Sequence, residues 1–176
     1  MSLDRRGWVL GTGVAIAAAA AGAGWALLRH RAAPPEAAAA LWDLSFDTPG
    51  GAKLEMGRLR GHWLVVNFWA TWCPPCVREM PALDRFQREF ASRGWRVVGL
   101  AADQATAVRE FLARAPVSFE IGLAGLGGIE LSRQLGNLAG GLPFTVLFGR
   151  DGAVVQRQIG ETRFDQLAEW AAALRQ

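Results

Sequence analysis

The chain contains two cysteines, Cys73 and Cys76, set three apart in the run Trp72-Cys73-Pro74-Pro75-Cys76. A pair at this spacing can exchange a disulfide with a partner, hold a soft metal ion, or staple a short loop. The staple is a weak use of two thiols, because closing so small a loop removes little entropy from the unfolded chain. A zinc site would have only His30 and His62 to add, and would need carboxylates or a second chain to reach four ligands. Cu(I) suits two thiolates, yet only Met1, Met56 and Met80 could supplement them and there is no methionine-rich tract. Covalent haem attachment fails, since Val77 stands where CxxCH needs histidine. Dithiol–disulfide exchange needs no cofactor, because the two sulfurs carry the electrons themselves. That chemistry leads, with a Cu(I)-binding metallochaperone as the alternative.

The pair must be positioned by the elements around it. Trp63 to Ala70 is a nearly continuous apolar run of strand length, expected of a central strand covered on both faces, and Asn67 is its only polar member. From Pro74 to about Arg93 the pattern becomes helical, with Val77, Met80, Leu83 and Phe86 or Phe90 at three- and four-residue steps and Gly94 ending it. Cys73 therefore falls where a strand ends and a helix begins. Unpaired N–H groups and the positive end of the helix dipole favour a thiolate there. Cys76 follows one turn later, and Pro74 and Pro75 suit the first helical turn, where a missing N–H costs nothing.

The rest of the body alternates strands and helices. Thr48-Pro49-Gly50-Gly51 marks the turn of an amino-terminal hairpin within 41–56. Trp95 to Ala101 reads as a second buried strand, Thr106 to Ala115 as an amphipathic helix, Ser118 to Leu123 as an extended piece and Ile129 to Leu135 as a helix. Phe144 to Phe148 and Ala153 to Ile159 form a hairpin around Gly149-Arg150-Asp151-Gly152, and Phe164 to Leu174 closes the chain as a helix with Thr162 as its N-cap. This order predicts an α/β fold, a mixed central sheet with helices on both faces.

At 176 residues, with 51% apolar and 20% charged side chains, the chain is long enough for one ordinary domain. Its net charge of +3 is concentrated at the amino terminus, where Arg5, Arg6, Arg29 and Arg31 face Asp4 alone. The remaining body is formally neutral with interspersed signs, so it lacks the basic stripe that nucleic-acid binding requires. Gly7 to Leu28 is free of charge over 22 residues, which as a helix spans roughly 33 Å, close to the thickness of a bilayer's hydrocarbon core. Trp8 and Trp25 near its ends suit interfacial positions. The segment reads as a transmembrane signal-anchor after a cytoplasmic flank at 1–6. A cleaved signal is the alternative, with Ala21-Gly22-Ala23 resembling a processing site and Arg5-Arg6 weakly resembling a twin-arginine export signal. A linker at 29–40, stiffened by Pro34 and Pro35 and open to a helix in its alanine run, leads to a folded domain at 41–176.

Asn67-Phe68-Trp69-Ala70-Thr71-Trp72-Cys73-Pro74-Pro75-Cys76, then Glu79-Met80-Pro81, Leu142-Pro143 and the stretch from Phe148 to Gly152 together resemble membrane-tethered bacterial thioredoxin-like proteins of the TlpA and ResA type. The resemblance covers the chain from about Leu41 onward. It implies a thioredoxin fold with an added amino-terminal β-hairpin and a central insertion. It also implies an extracytoplasmic thiol-disulfide reductase that acts on partner proteins of cytochrome c maturation or copper-site assembly and takes electrons from a membrane thiol carrier. By the same resemblance Pro143 is a cis-proline facing the cysteines, and Leu142 before it offers its backbone to a substrate, although Phe144 follows where many members carry threonine. Glu79 is implied to tune the thiols and move their protons. Without the resemblance it would read as an exposed first-turn glutamate that favours the helix dipole. Asn67 stands where ordinary thioredoxins carry a buried aspartate, a role that Glu79 would take over. Trp72, with Pro74 and Pro75, is expected to pack beside the disulfide, whereas Trp69, Val65 and Val66 read as core. The whole is expected to be a monomeric, single-pass inner-membrane protein whose domain faces the periplasm.

Overall fold

The computed structural model describes residues 35–174. The expected membrane segment at 7–28 and its flanks lie outside the described residues. The elements in chain order are α1 (Pro35–Leu41), β1 (Ser45–Asp47), β2 (Lys53–Glu55), β3 (Trp63–Trp69), α2 (Pro74–Phe90), β4 (Trp95–Ala101), α3 (Ala105–Arg114), β5 (Glu120–Leu123), α4 (Gly127–Gln134), β6 (Phe144–Phe148), β7 (Val154–Ile159) and α5 (Phe164–Ala173). Among the described residues no helix is long and apolar enough to cross a membrane.

The strands form one mixed sheet in the order β2-β1-β5-β4-β3-β6-β7. β3 lies inside it, parallel to β4 from Trp63↔Trp95 to Trp69↔Ala101 and antiparallel to β6, with Asn67 opposite Thr145 and Phe68 opposite Phe144. Because side chains alternate along a strand, β3 feeds two cores. Val65 and Trp69 join Met80, Leu83, Phe86, Val97, Leu147 and Leu167 on the face covered by α2 and α5. Leu64, Val66 and Phe68 join Leu41, Trp42, Val98, Leu131 and Phe144 on the other. Asn67 shares the parity of Val65 and Trp69, and Thr145 that of Leu147, so two polar side chains enter the α2 face side by side.

Several boundaries differ from expectation for local reasons. α2 ends at Phe90 and tightens into a short 3-10 turn, Ala91–Arg93, before Gly94 takes the left-handed conformation at φ 81°. The alanine run of the linker takes the helix that its composition allowed, since proline at the first helical position and four alanines favour it. Ala38 and Leu41 of this helix are buried with Trp42 in the second core, so the packed unit includes part of the expected tether. Thr162 does not cap α5. The N-cap is Arg163, which makes no side-chain cap, because the Thr162 hydroxyl is committed to Thr145 at 3.0 Å. Gly99 in β4 has a packing reason: a Cβ there would stand 2.8 Å from Ile121 Cδ1 and 3.0 Å from Trp69 Nε1.

Candidate active site

Cys73 and Cys76 are joined as a disulfide with Cα atoms 5.3 Å apart. The local sequence explains the arrangement. β3 stops at Trp69, a short turn follows, and Cys73 in extended conformation (φ −102°, ψ 101°) is the N-cap of α2, with Pro74 at the first helical position. Pro74 and Pro75 have no N–H, so Cys76 N is the first-turn donor left for a sulfur, and it points at Cys73 Sγ at 3.4 Å. Both cysteines are buried, Cys73 at 4% exposure and Cys76 at 0%, among Trp69, Ala70 and Met80.

Trp72 departs from its expected packing and is 63% exposed. The reason is geometric: with Cys73 extended and turned inward, its chain neighbour points outward, and the interior beneath is already filled by Trp69 and Met80. Pro74 is exposed and Pro75 half-buried. The turn before Cys73 is clamped by a residue that sequence reasoning missed. Asp103, just past the end of β4, accepts hydrogen bonds from Thr71 N at 2.8 Å and Thr71 Oγ1 at 2.5 Å. The one available signal was its place at the carboxyl end of a strand pairing with β3.

The Leu142–Pro143 peptide is cis. Pro143 is buried and immediately precedes β6, whose first residue, Phe144, pairs with Phe68 near the carboxyl end of β3. The cysteine turn and the proline turn therefore emerge at the same end of the sheet. His62 precedes the opposite end of β3, a strand length of about 20 Å away at ~3.3 Å per residue, so it is not brought to the thiols. Among the described residues no group of three or more histidine, cysteine, aspartate or glutamate side chains is placed to hold a metal ion.

Glu79 is not an exposed first-turn glutamate. It lies one helical turn beyond Cys76, is 1% exposed, and its oxygens each have a donor, Asn67 Nδ2 at 2.7 Å and Thr162 N at 2.6 Å. Burial pushes its carboxyl up from the usual 4.5 to about 7, with Glu161 adding in the same direction, while the Thr162 and Asn67 donors oppose the rise. Asn67 Nδ2 also donates to Thr145 Oγ1 at 3.0 Å. Just outside, Arg78 pairs with Glu161 at 2.9 Å.

A CxxC disulfide at a strand–helix junction, a cis-proline at the same end of the sheet and a buried carboxyl one turn along the helix make up the site. Residues 36–174 match the Redoxin family. The chain belongs to that family. Within the Redoxin family it is 32% identical over 121 residues to thiol-disulfide oxidoreductase ResA of Bacillus thuringiensis subsp. konkukian (strain 97-27), a match covering 68% of each chain. Among solved structures, the thiol:disulfide interchange protein of Chlorobium tepidum TLS superposes with a TM-score of 0.64 at 27% identity, over 74% of this chain and 91% of that one. StoA from Bacillus subtilis gives 0.61 at 25% identity, over 73% and 95%. This Redoxin-family chain is thus ResA-like, a thiol-disulfide oxidoreductase with a thioredoxin-type fold.

Proposed function

We propose that the protein is a membrane-anchored, extracytoplasmic reductase of partner-protein disulfides that works through Cys73 and Cys76. The observation that carries this reading is the Cys73–Cys76 disulfide at the amino end of α2, with Cys76 N directed at Cys73 Sγ. In the dithiol form the same N–H stabilises a Cys73 thiolate, which makes Cys73 the attacking sulfur. Its thiolate attacks one sulfur of a partner disulfide, forming a mixed disulfide and releasing one partner thiolate, which takes up a proton. Cys76 then gives its proton to the Glu79 carboxylate and attacks Cys73 Sγ. The Cys73–Cys76 disulfide closes, and the partner's second sulfur leaves and is protonated. The partner gains two electrons, the chain loses two, and a membrane thiol carrier restores the dithiol.

A disulfide is a strong oxidant when its reduced form is stabilised. Pro74 and Pro75 remove two of the N–H groups that would stabilise a Cys73 thiolate, and the buried Glu79 carboxylate disfavours a second negative charge nearby. Both favour a reductant. Leu142 and Pro143 are assigned to the partner groove at the same end of the sheet, with exposed Trp72 and the surface residue Pro74 beside it. Residues 7–28 anchor the chain, and the partner classes remain those of cytochrome c maturation or copper-site assembly.

The test is trapping in the native membrane compartment. A Cys76→Ala variant is expected to accumulate mixed disulfides through Cys73, resolved on non-reducing gels and lost in the Cys73→Ala, Cys76→Ala double variant. Absence of any trapped species overturns dithiol exchange, and a reduction potential near the about −120 mV of strong oxidants overturns the reductase direction.

A further inference from the structure

Asn67, Glu79, Thr145 and Thr162 come from four separate parts of the chain, and each is at most 1% exposed. Their hydrogen bonds close a ring. Glu79 Oε1 accepts from Asn67 Nδ2, Asn67 Nδ2 donates to Thr145 Oγ1, Thr145 Oγ1 meets Thr162 Oγ1 at 3.0 Å with either able to donate, and Thr162 N donates to Glu79 Oε2. Every group that touches Glu79 in this arrangement is a donor, so the ring as drawn suits a carboxylate. A protonated Glu79 would carry an O–H that needs an acceptor, and a buried O–H without one is costly.

That acceptor is already in the ring. Asn67 Oδ1 is buried and has no hydrogen-bond partner among the described residues. Turning the Asn67 amide by half a revolution exchanges Oδ1 with Nδ2. Glu79 Oε1–H then donates to Asn67 Oδ1, Thr145 Oγ1–H donates to the same oxygen, and Thr162 Oγ1–H donates to Thr145. Thr162 N still donates to Glu79 Oε2. Each arrangement has four hydrogen bonds, because a primary amide and two hydroxyls can each reverse direction, and the turn moves the unpartnered end of the amide from Oδ1 in the carboxylate form to Nδ2 in the acid form. A valine or leucine side chain at any of these positions could hydrogen-bond in neither state.

We propose that Asn67, Thr145 and Thr162 are positioning residues whose hydrogen bonds reverse direction when Glu79 takes up a proton, which lets a fully buried carboxyl change charge without being exposed. The inference rests on the reading of Glu79 as the group that exchanges protons with the thiols. The groups facing Glu79 are few. α2 brings Cys76 and, at its N-cap, Cys73, together with the Arg78 guanidinium. The turn between β7 and α5 brings Glu161, paired with Arg78, and β3 and β6 face it with the neutral Asn67 and Thr145. Of these, the Glu161 carboxylate acts on Glu79 from just outside the ring, in the direction that favours the acid.

The chain has two asparagines, Asn67 and Asn137, so selective labelling isolates the side-chain amide in question. In the full chain in detergent micelles, the Asn67 Nδ2 resonances are expected to shift with pH along the same midpoint as the Glu79 carboxyl carbon. Those of Asn137 stay flat, and Glu79→Gln abolishes the Asn67 shift. Asn67→Leu removes a charge-assisted donor from the carboxylate and a weaker, neutral acceptor from the acid, so it is expected to raise the Glu79 midpoint by about one pH unit or more, a tenfold change in proton affinity. Thr145→Ser keeps the hydroxyl and is expected to preserve the wild-type coupling. An Asn67 amide that stays flat through the Glu79 titration overturns the proposal, as does an unchanged midpoint in Asn67→Leu. If the coupling is present but Glu79→Gln leaves the pH profile of disulfide exchange unaltered, the ring stands and the thiol role of Glu79 falls. The converse pattern sinks the ring alone.

Discussion

Glu79 holds its carboxyl inside the protein with one donor on each oxygen, so its proton affinity is tied to the stability of the fold. Its value in the folded chain, about 7, lies above the ordinary 4.5. The folded state thus binds the proton more tightly than the unfolded state between those values. This contribution to stability is fully present below about pH 4.5 and is lost as pH rises through 7. The gap corresponds to about 3 kcal/mol at 1.36 kcal/mol per pH unit. Glu79→Gln, which cannot ionise, is expected to gain on the wild type by up to about 3 kcal/mol between pH 4 and pH 8, measured by urea unfolding of the oxidised protein. A constant difference across that range would count against a raised carboxyl. At this scale the cysteines were legible from their spacing alone. The burial of Glu79 was not, because helical spacing places it on the face of Cys76 without saying whether that face meets solvent or a polar strand position such as Asn67.

α2 carries both reacting sulfurs and Glu79, so the contacts that fix this helix matter to the site. One of them is Asp84, which accepts from Ser118 N and Ser118 Oγ at 2.6 Å each and pairs with Arg88. Burial by itself would raise the Asp84 carboxyl, but the Ser118 donors and Arg88 outweigh it and hold it below its usual value. The stability it contributes is present above the unfolded-state value and is lost as pH falls through the folded one. Asp84→Ala takes the acceptor from the Ser118 N–H and hydroxyl at the entry to β5 and is expected to cost roughly 1 kcal/mol at neutral pH, with the deficit shrinking in acid. Thermal unfolding across a pH series checks both parts. Strands and helices were legible at this scale because alternating or three-to-four-residue apolar spacing reflects which side is covered. β3, β4 and β6 needed little correction. The packing of α1 was less visible, since an alanine run reads equally well as tether and as helix until Leu41 and Trp42 find the second core.

Across the whole molecule the positive charge and the uncharged segment lie at the amino terminus, and the body from residue 34 onward is formally neutral. If residues 7–28 anchor the chain, the full-length protein is expected to sediment with membranes and resist alkaline carbonate extraction. A chain starting at residue 34 is expected to remain in the aqueous fraction and reduce a soluble disulfide substrate at the full chain's rate. Recovery of the full chain in the aqueous fraction after extraction would exclude the anchor. By itself the sequence determined the reacting pair, the strand–helix junction that holds it and the alternation that makes a mixed sheet, because each depends on residues close together in the chain. Only the tertiary structure decided that Trp72 faces outward, that Asp103 clamps the turn before Cys73, and that Asn67, Glu79, Thr145 and Thr162 close a ring. Those contacts arise when β3 pairs with β4 and β6 and when the turn before α5 returns over α2. They join positions up to 83 residues apart, a separation that no local spacing rule records.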